Sequence, residues 1–147
     1  MKVIAGIYKG RNIDTIKDST TRPMMGIARE GIFNTLQFSF ENANVLDLFA
    51  GSGSMGIEAL SRGAKYVTFI DNSPDCIRQI NRNLEEYKND YSVIKLDVSN
   101  YINEVASKFD IIFYDPPFEY STEVINVEIN EIRNNLNKNA FIIIHRL

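Results

Sequence analysis

The segment VLDLFAGSGSMG, residues 45–56, decides how this chain is expected to fold. Its first residues are apolar, as in a buried strand, and Gly51, Gly53 and Gly56 follow in the spacing G-x-G-x-x-G. Asp71 ends the next apolar stretch. Glycines at this spacing let a cofactor approach the backbone closely, and the later carboxylate can accept hydrogen bonds from ribose hydroxyls. The segment predicts a strand, a turn and a helix that bind a nucleoside-bearing cofactor, in preference to a glycine turn with no ligand.

Around this segment, apolar strand patterns alternate with helical patterns. Strands are predicted at 44–49, 66–71, 92–97, 110–115 and 140–145, and helices at 27–38, 54–63, 73–88, 99–107 and 122–136. Such alternation predicts an α/β, Rossmann-like fold with a mostly parallel sheet and helices on both faces. A β-hairpin within residues 1–20 is predicted to precede the body, 21–147, in a single domain. Ligands of such sheets bind at the C-terminal ends of the strands.

Composition limits the class of protein. The chain has 147 residues, of which 44% are hydrophobic and 24% charged, with one cysteine and no apolar stretch near the ~20 residues of a membrane span. These features predict a cytoplasmic globular protein without disulfides. The net charge is −3, which argues against a general polyanion binder, although basic residues predominate before residue 40. This N-terminal region is either a phosphate-contacting patch or an ordinary solvated surface.

The positions of three acidic residues indicate whether the cofactor is a dinucleotide or S-adenosylmethionine. Asp47 lies within the strand before the glycines, where it would oppose the anionic pyrophosphate of a dinucleotide. S-adenosylmethionine instead carries a sulfonium and an ammonium, which a carboxylate attracts. Asp71 and Asp97 end the next two predicted strands and could accept from the ribose and the adenine amine. Each aspartate alone could cap a helix or close a turn, but the three together favour S-adenosylmethionine over NAD.

The second informative segment is YDPPF, residues 114–118. Asp115 offers a carboxylate oxygen and Pro116 a backbone carbonyl, so the pair could bind both hydrogens of a planar amine and stabilise the charge that develops during methyl transfer. Phe118 could stack on an extruded base, and the prolines fix the local backbone. This chemistry needs no metal. The alternative is a rigid strand-to-helix turn, while His145 and Cys76 are predicted to be structural.

Three segments resemble the RsmD family of bacterial small-subunit ribosomal RNA methyltransferases. They are DLFAGSGSMGIEALSRGA (47–64), DPPF (115–118) and TRPMMGIAREGIFN (21–34). The resemblance implies the S-adenosylmethionine-dependent methyltransferase fold and methyl transfer to the exocyclic N2 of a guanine in 16S rRNA. Its partner would be 16S rRNA or the assembling 30S subunit. Asp-Pro-Pro-Phe alone marks a wider set of amino methyltransferases.

The resemblance also assigns roles to individual residues. It implies that the methionine end of the cofactor contacts Asp47, Gly51 and Gly53, that Asp71 binds the ribose, and that Asp97 and the Val98 backbone bind the adenine. Asp115, Pro116 and Phe118 would present the guanine. The substrate or RNA contacts would be Arg11, Arg22 and Pro23.

The sequence departs from the family pattern at three places. Met24 stands where threonine is usual, and Gly31 where alanine is common, at a cost of about 1 kcal/mol in helix propensity. Family members continue past the fifth strand, whereas this sequence stops at Leu147, without the C-terminal strands that complete the usual seven. An uncovered apolar strand at 140–145 predicts self-association along that edge or a weakened substrate site.

Other functions compete with this prediction. The nearest is another amino methyltransferase, acting on adenine N6 of DNA or RNA or on a protein glutamine. A non-catalytic relative that binds cofactor or RNA is the alternative from a different class. An NAD-dependent dehydrogenase is disfavoured by Asp47.

Overall fold

The computed structural model of the chain describes residues 1–16 and 26–145. Strands and helices alternate in the predicted order. The strands are β1 Asn44–Leu48, β2 Tyr66–Asp71, β3 Asp90–Lys95, β4 Phe109–Tyr114 and β5 Leu136–Ile144, and the helices are α1 Gly26–Thr35, α2 Ser54–Ser61, α3 Pro74–Asn83, α4 Val98–Glu104 and α5 Thr122–Ile132. Arg22 and Pro23, to which the family resemblance assigns substrate or RNA contacts, lie outside the described residues, as does Met24, which departs from the family pattern.

The strands form one five-stranded sheet in the order β3-β2-β1-β4-β5, and every neighbouring pair is parallel. In the centre of the sheet, Val45 pairs with Val67 on one side and Ile111 on the other. Central strands of a parallel sheet are covered on both faces, which explains why their sequences are nearly continuous apolar runs. The predicted parallel sheet is confirmed, and β5 lies at its edge, as predicted.

Helices cover both faces of the sheet, because alternate residues of each strand enter different cores. Val45 and Phe113 belong to one core, together with side chains of α1, α2 and α3. Leu46 and Tyr114 belong to the other, together with side chains of α4 and α5. The two cores hold the strands in register and therefore place all their C-terminal ends along one edge.

The largest boundary errors concern two elements. The helix predicted at 73–88 starts correctly, with Ser73 as N-cap and Pro74 at the first position, but ends at Asn83. Beyond it the chain turns so that Tyr87 packs on Tyr8, with 4.1 Å between the ring centroids. Strand β5 begins four residues before its predicted start because a short 3₁₀ turn, Arg133–Asn135, ends the preceding helix early.

The first residues pair in antiparallel fashion, but less regularly than the predicted hairpin. Lys2 and Asn12 form an isolated bridge, and the Val3 N–H donates to the Arg11 carbonyl at 2.9 Å. The segment is also fixed to α2: Gly6 lies so close that a Cβ there would come within 1.9 Å of the Ser61 carbonyl oxygen. Side chains of the body therefore hold this segment more than its own strand pairing does.

Glu58 of α2 is the main anchor of the N-terminal segment. Its carboxylate is fully buried, and it accepts hydrogen bonds from the backbone N–H groups of Ile4 and Ala5 at 2.8 and 3.1 Å. It also forms ion pairs with Arg29 at 2.7 Å and with Arg62 at 2.9 Å. Burial lowers the pKa of Arg29. Because each buried charge has a partner, removing Glu58 would leave buried donors unpaired.

No helix in residues 1–16 and 26–145 is long and apolar enough to cross a membrane.

Candidate active site

Four aspartates lie along the C-terminal edge of the parallel sheet. In the order of the strands they are Asp97 just after β3, Asp71 at the end of β2, Asp47 near the end of β1, and Asp115 just after β4. Asp71 and Asp115 are close enough to Asp47 that both raise its pKa. The strand ends therefore bring Asp47, Asp71 and Asp115 close together.

The glycine loop between β1 and α2 exposes its backbone to this edge. Gly51 has a φ of 61° and Gly53, which precedes α2, a φ of 84°, conformations that favour glycine. A Cβ at Gly51 would meet no other atom within 4 Å, so the space beside it is open. Gly53 provides no side-chain cap for the first turn of α2, in which the Gly56 N–H donates to Asp47 instead. The loop fits a cofactor that approaches the backbone.

The third glycine of the motif has a packing role. Gly56 lies inside α2, where a Cβ would come within 2.3 Å of the Phe69 ring and 2.9 Å of Val67. Any larger residue would therefore push the helix away from β2. Part of the glycine pattern consequently reflects helix-to-sheet packing.

Asp47 is the most deeply buried of the four acids. Its side chain is only 2% exposed, and one oxygen accepts a hydrogen bond from the Gly56 N–H at 3.0 Å. Burial raises its pKa well above the ordinary value, and Asp115 and Asp71 add to this, whereas the Gly56 hydrogen bond opposes it. A cationic ligand at this edge would relieve the cost of ionising this carboxyl, in agreement with a sulfonium or ammonium group.

Asp71 and Asp97 also stabilise the loops they stand in. The oxygens of Asp71 accept from the N–H groups of Gly51 and Ser73, each at 2.9 Å, and Asp97 caps α4 by accepting from the Ser99 N–H at 2.9 Å. Asp71 and Asp97 therefore have the structural roles, turn closure and helix capping, that the sequence allowed for each of them alone. A carboxylate has about four acceptor positions, so both can still accept from a ligand. Val98, the first residue of α4, is buried beside Asp97.

The Asp115-Pro116-Pro117-Phe118 turn follows β4 directly. The Asp115 side chain is partly accessible, Pro116 is buried, and Phe118 is 70% exposed. The Tyr120 N–H donates to the Pro117 carbonyl at 3.0 Å and closes the turn. The turn thus holds a partly accessible acid and an exposed aromatic ring on a hydrogen-bonded backbone, and its binding of a planar amine stays a prediction. No group of three or more metal-ligating side chains occurs in the part of the chain that the structure describes.

Two residues that the sequence did not single out support this turn. Phe49, at the start of the glycine loop, has a positive φ of 58° and contacts the rings of Tyr114 and Tyr120 edge to face. Glu128 of α5 is buried and accepts from the Tyr114 hydroxyl at 2.7 Å and from the Ser99 hydroxyl. No pattern in the sequence indicates that Phe49 supports this turn. Glu128 occupies an apolar helical position, three residues after one isoleucine and four before another, which could have revealed it.

Asn83 connects the N-terminal segment to the glycine loop. Its amide nitrogen donates to the carbonyls of Asp14 at 3.0 Å and Ser52 at 2.9 Å, and its amide oxygen accepts from the Asp14 N–H at 3.1 Å. No sequence pattern indicates this bridge, because it joins three distant parts of the chain. The position of the loop therefore depends on the docked N-terminal segment.

Three further residues considered in the sequence, Arg11, Cys76 and His145, lie in different environments. Arg11 is exposed, and its guanidinium lies over the rings of Tyr8 and Tyr87, at 4.5 and 5.3 Å from their centroids. These contacts involve only the protein itself, and the role of Arg11 in RNA binding stays a prediction. Cys76 is buried, and burial raises its pKa to about 11, so it stays a thiol. His145, expected to be structural, lies 3.0 Å from Asp115.

Comparisons with known proteins agree with this geometry. A family model described as "Conserved hypothetical protein 95" matches residues 1–147. Ribosomal RNA small subunit methyltransferase D of Haemophilus influenzae is 33% identical over 97% of this chain and 76% of its own length. The chain belongs to the RsmD family. YlbH of Bacillus subtilis, assigned as an rRNA methyltransferase, is 37% identical over 81% of this chain and 67% of its own length.

A solved structure also resembles this member of the RsmD family over nearly its whole length. The Escherichia coli protein yhhF, assigned as a methyltransferase, has a TM-score of 0.86 and 30% identity, covering 99% of this chain and 81% of that one. These matches confirm the predicted family, the Rossmann-like methyltransferase fold and the prediction of an S-adenosylmethionine-dependent methyltransferase.

Proposed function

We propose that the chain transfers a methyl group from S-adenosylmethionine to the exocyclic N2 of a guanine in small-subunit rRNA. The observation that carries this proposal is the placement of Asp115 and the exposed Phe118 at the same sheet edge as the open glycine loop. The name of the Haemophilus influenzae relative supports rRNA as the substrate class. The choice of guanine N2 rests on the family resemblance.

The residues of this chain would act mainly by orientation and electrostatics. Bound S-adenosylmethionine would supply an electrophilic methyl group: the amine nitrogen would form the new N–C bond as the methyl–sulfur bond breaks, the sulfur would keep the bonding pair as a neutral thioether, and the amine would lose one proton to solvent. Asp115 and the Pro116 carbonyl would accept from the two amine hydrogens and stabilise the developing positive charge. Phe118 would stack on the base, an interaction of ~1–3 kcal/mol. Gly51, Gly53, Asp47 and Asp71, with Asp97 and Val98, would hold the cofactor.

The buried Asp47 predicts that cofactor binding releases protons. Because its folded pKa is raised, its contribution to stability is present below the ordinary pKa and is lost as the pH rises through the raised value. A cationic cofactor favours the ionised form and lowers this pKa. Between the free and bound values, we expect release of up to about one proton per S-adenosylmethionine, measured by calorimetry in buffers of different ionisation enthalpy.

The matched control for proton release is Asp90→Asn. Asp90 begins β3, at the opposite end of the sheet, and is exposed. Asp90→Asn should release protons like wild type, whereas Asp47→Asn should not. Binding heats of the wild-type protein that do not depend on the buffer at any pH above the ordinary pKa of aspartate would exclude this role of Asp47.

The substrate assignment needs a direct test. Protein and labelled S-adenosylmethionine are incubated with 30S particles lacking the modification, naked 16S rRNA, DNA and a glutamine-containing peptide, and the methylated nucleotide is located. We expect guanine N2 in RNA, and more transfer to the particle than to naked RNA because the net charge of −3 gives little general attraction to a polyanion. Methylation of DNA or peptide alone would favour another amino methyltransferase, and cofactor binding without transfer the non-catalytic alternative.

The basic N-terminal region is proposed to contact RNA through Arg11, Arg22 and Pro23. We also propose that residues 1–147 form one methyltransferase domain, with the N-terminal segment docked on a body starting near residue 21, and that it acts in the cytoplasm.

Self-association through β5 is a separate proposal. Phe141 and Ile144 of this edge strand are 44% and 50% exposed, and edge strands with exposed apolar residues pair readily with other strands. A second copy of this chain would pair along the edge. Light scattering should show dimers that Ile144→Lys weakens; a wild-type monomer at all concentrations would contradict this.

A further inference from the structure

The sequence contains a single histidine, His145, and it contacts the acid assigned to the substrate amine. The parallel pairing of β4 with β5 places Tyr114 beside Ile144, so the residues that follow, Asp115 and His145, are neighbours. The His145 N–H donates to the Tyr114 carbonyl at 3.1 Å. The ring Nδ1 lies 3.0 Å from Oδ1 of Asp115. Both the backbone and the side chain of His145 thus hold the end of β4.

The chemistry of the two groups determines which atom of the His145–Asp115 contact carries the hydrogen. An ionised carboxylate can only accept, so Nδ1 must carry the proton and donate it to Oδ1. The side chains of His145 and Asp115 are 19% and 28% exposed, so the contact lies at the accessible edge of the site. With Oδ1 engaged by the imidazole, rotation of the Asp115 carboxylate is restricted.

We propose that His145 is a positioning residue for methyl transfer, whose Nδ1–H holds the Asp115 carboxylate in the orientation that receives the substrate amine. This inference rests on the proposed role of Asp115 as acceptor for that amine. The imidazole keeps its own proton throughout and does not touch the substrate. Its contribution is geometric, and a misplacement of about 1 Å at a reacting centre can cost about 100-fold in rate.

Two substitutions separate this role from simple packing. His145→Asn places an amide nitrogen near the position of Nδ1 and keeps a donor, whereas His145→Leu has a comparable apolar volume and no donor. We expect His145→Leu to lower kcat by about 10- to 100-fold, with the Kd for S-adenosylmethionine changed by less than about 2-fold. His145→Asn should stay within about 3-fold of the wild-type kcat. An unchanged kcat in His145→Leu would overturn the proposal, as would an equal loss in both variants.

A spectroscopic measurement tests the contact without any activity. Because the chain has one histidine, its ¹⁵N imidazole signals need no assignment among several residues. At about pH 8.5, where an ordinary imidazole is neutral, we expect the Nδ1-protonated tautomer, which Asp115→Asn should deplete. An Nε2-protonated tautomer with a bare Nδ1 would refute the contact. Absence of RNA methylation by a wild-type protein that shows the Nδ1–H signal would instead count against the proposed function.

Discussion

Replacement of Asp115 by alanine is expected to lower the rate of methyl transfer by about 100- to 1000-fold while leaving S-adenosylmethionine affinity within about 3-fold of wild type. Asp115 directly follows β4 and belongs to the same turn as the exposed Phe118. A group that stabilises charge developing on the amine acts mainly in the transition state, so its loss should appear in kcat. Single-turnover transfer to 30S particles and equilibrium cofactor binding measure the two quantities.

The matched control for this experiment is Asp90→Ala. It removes an exposed carboxylate of the same type at the far end of the sheet and should leave both quantities unchanged. One complication is that Asp115 raises the pKa of Asp47. Its removal should therefore make Asp47 ionise more readily and slightly favour a cationic cofactor. Wild-type turnover by Asp115→Ala would refute its assigned role.

The largest effect on stability is expected from Glu58→Ala. This change leaves Arg29, only 2% exposed, without its ion-pair partner, and frees the N–H groups of Ile4 and Ala5. Breaking a buried ion pair by removing one partner costs about 3–5 kcal/mol. We therefore expect the free energy of unfolding, measured with urea, to fall by about that amount.

Glu30→Ala provides the comparison for Glu58→Ala. Glu30 follows Arg29 on α1, but its side chain is exposed, so its removal should change the unfolding free energy by less than about 0.5 kcal/mol. If Glu58→Ala were as stable as Glu30→Ala, the buried cluster would not anchor the N-terminal segment. A second readout is proteolysis, since residues 1–16 should be cleaved faster in Glu58→Ala.

The sheet and its cofactor edge were predictable because their signals are local. Apolar runs between helical patterns indicate a parallel sheet, and such a sheet brings residues after successive strands to one edge. Asp71 and Asp115 could be placed together on this basis. The local pattern could not reveal that Asp71 also supports the glycine loop, or that Asp97 caps a helix, because a carboxylate at a strand end serves either purpose.

The unpredicted contacts all join residues that are distant in sequence. Glu58 meets Arg29 across helices, and His145 meets Asp115 only because β5 pairs with β4 in a particular register. Neither pairing follows from periodicity, which describes one element at a time. Asn83 is similar, since an exposed-looking helical asparagine gives no sign that it bridges two other segments.

If the N-terminal segment binds RNA and the glycine loop binds the cofactor, as proposed, the Asn83 bridge couples the two binding events. The N-terminal segment that carries Arg11 and the loop that carries Gly51 share one side chain through their neighbours, Asp14 and Ser52. If RNA binding tightens the first, it lowers the cost of ordering the second, and the coupling is reciprocal for binding free energies. Substrate and cofactor would then enhance each other's affinity without touching, and Asn83→Ala would make their binding independent.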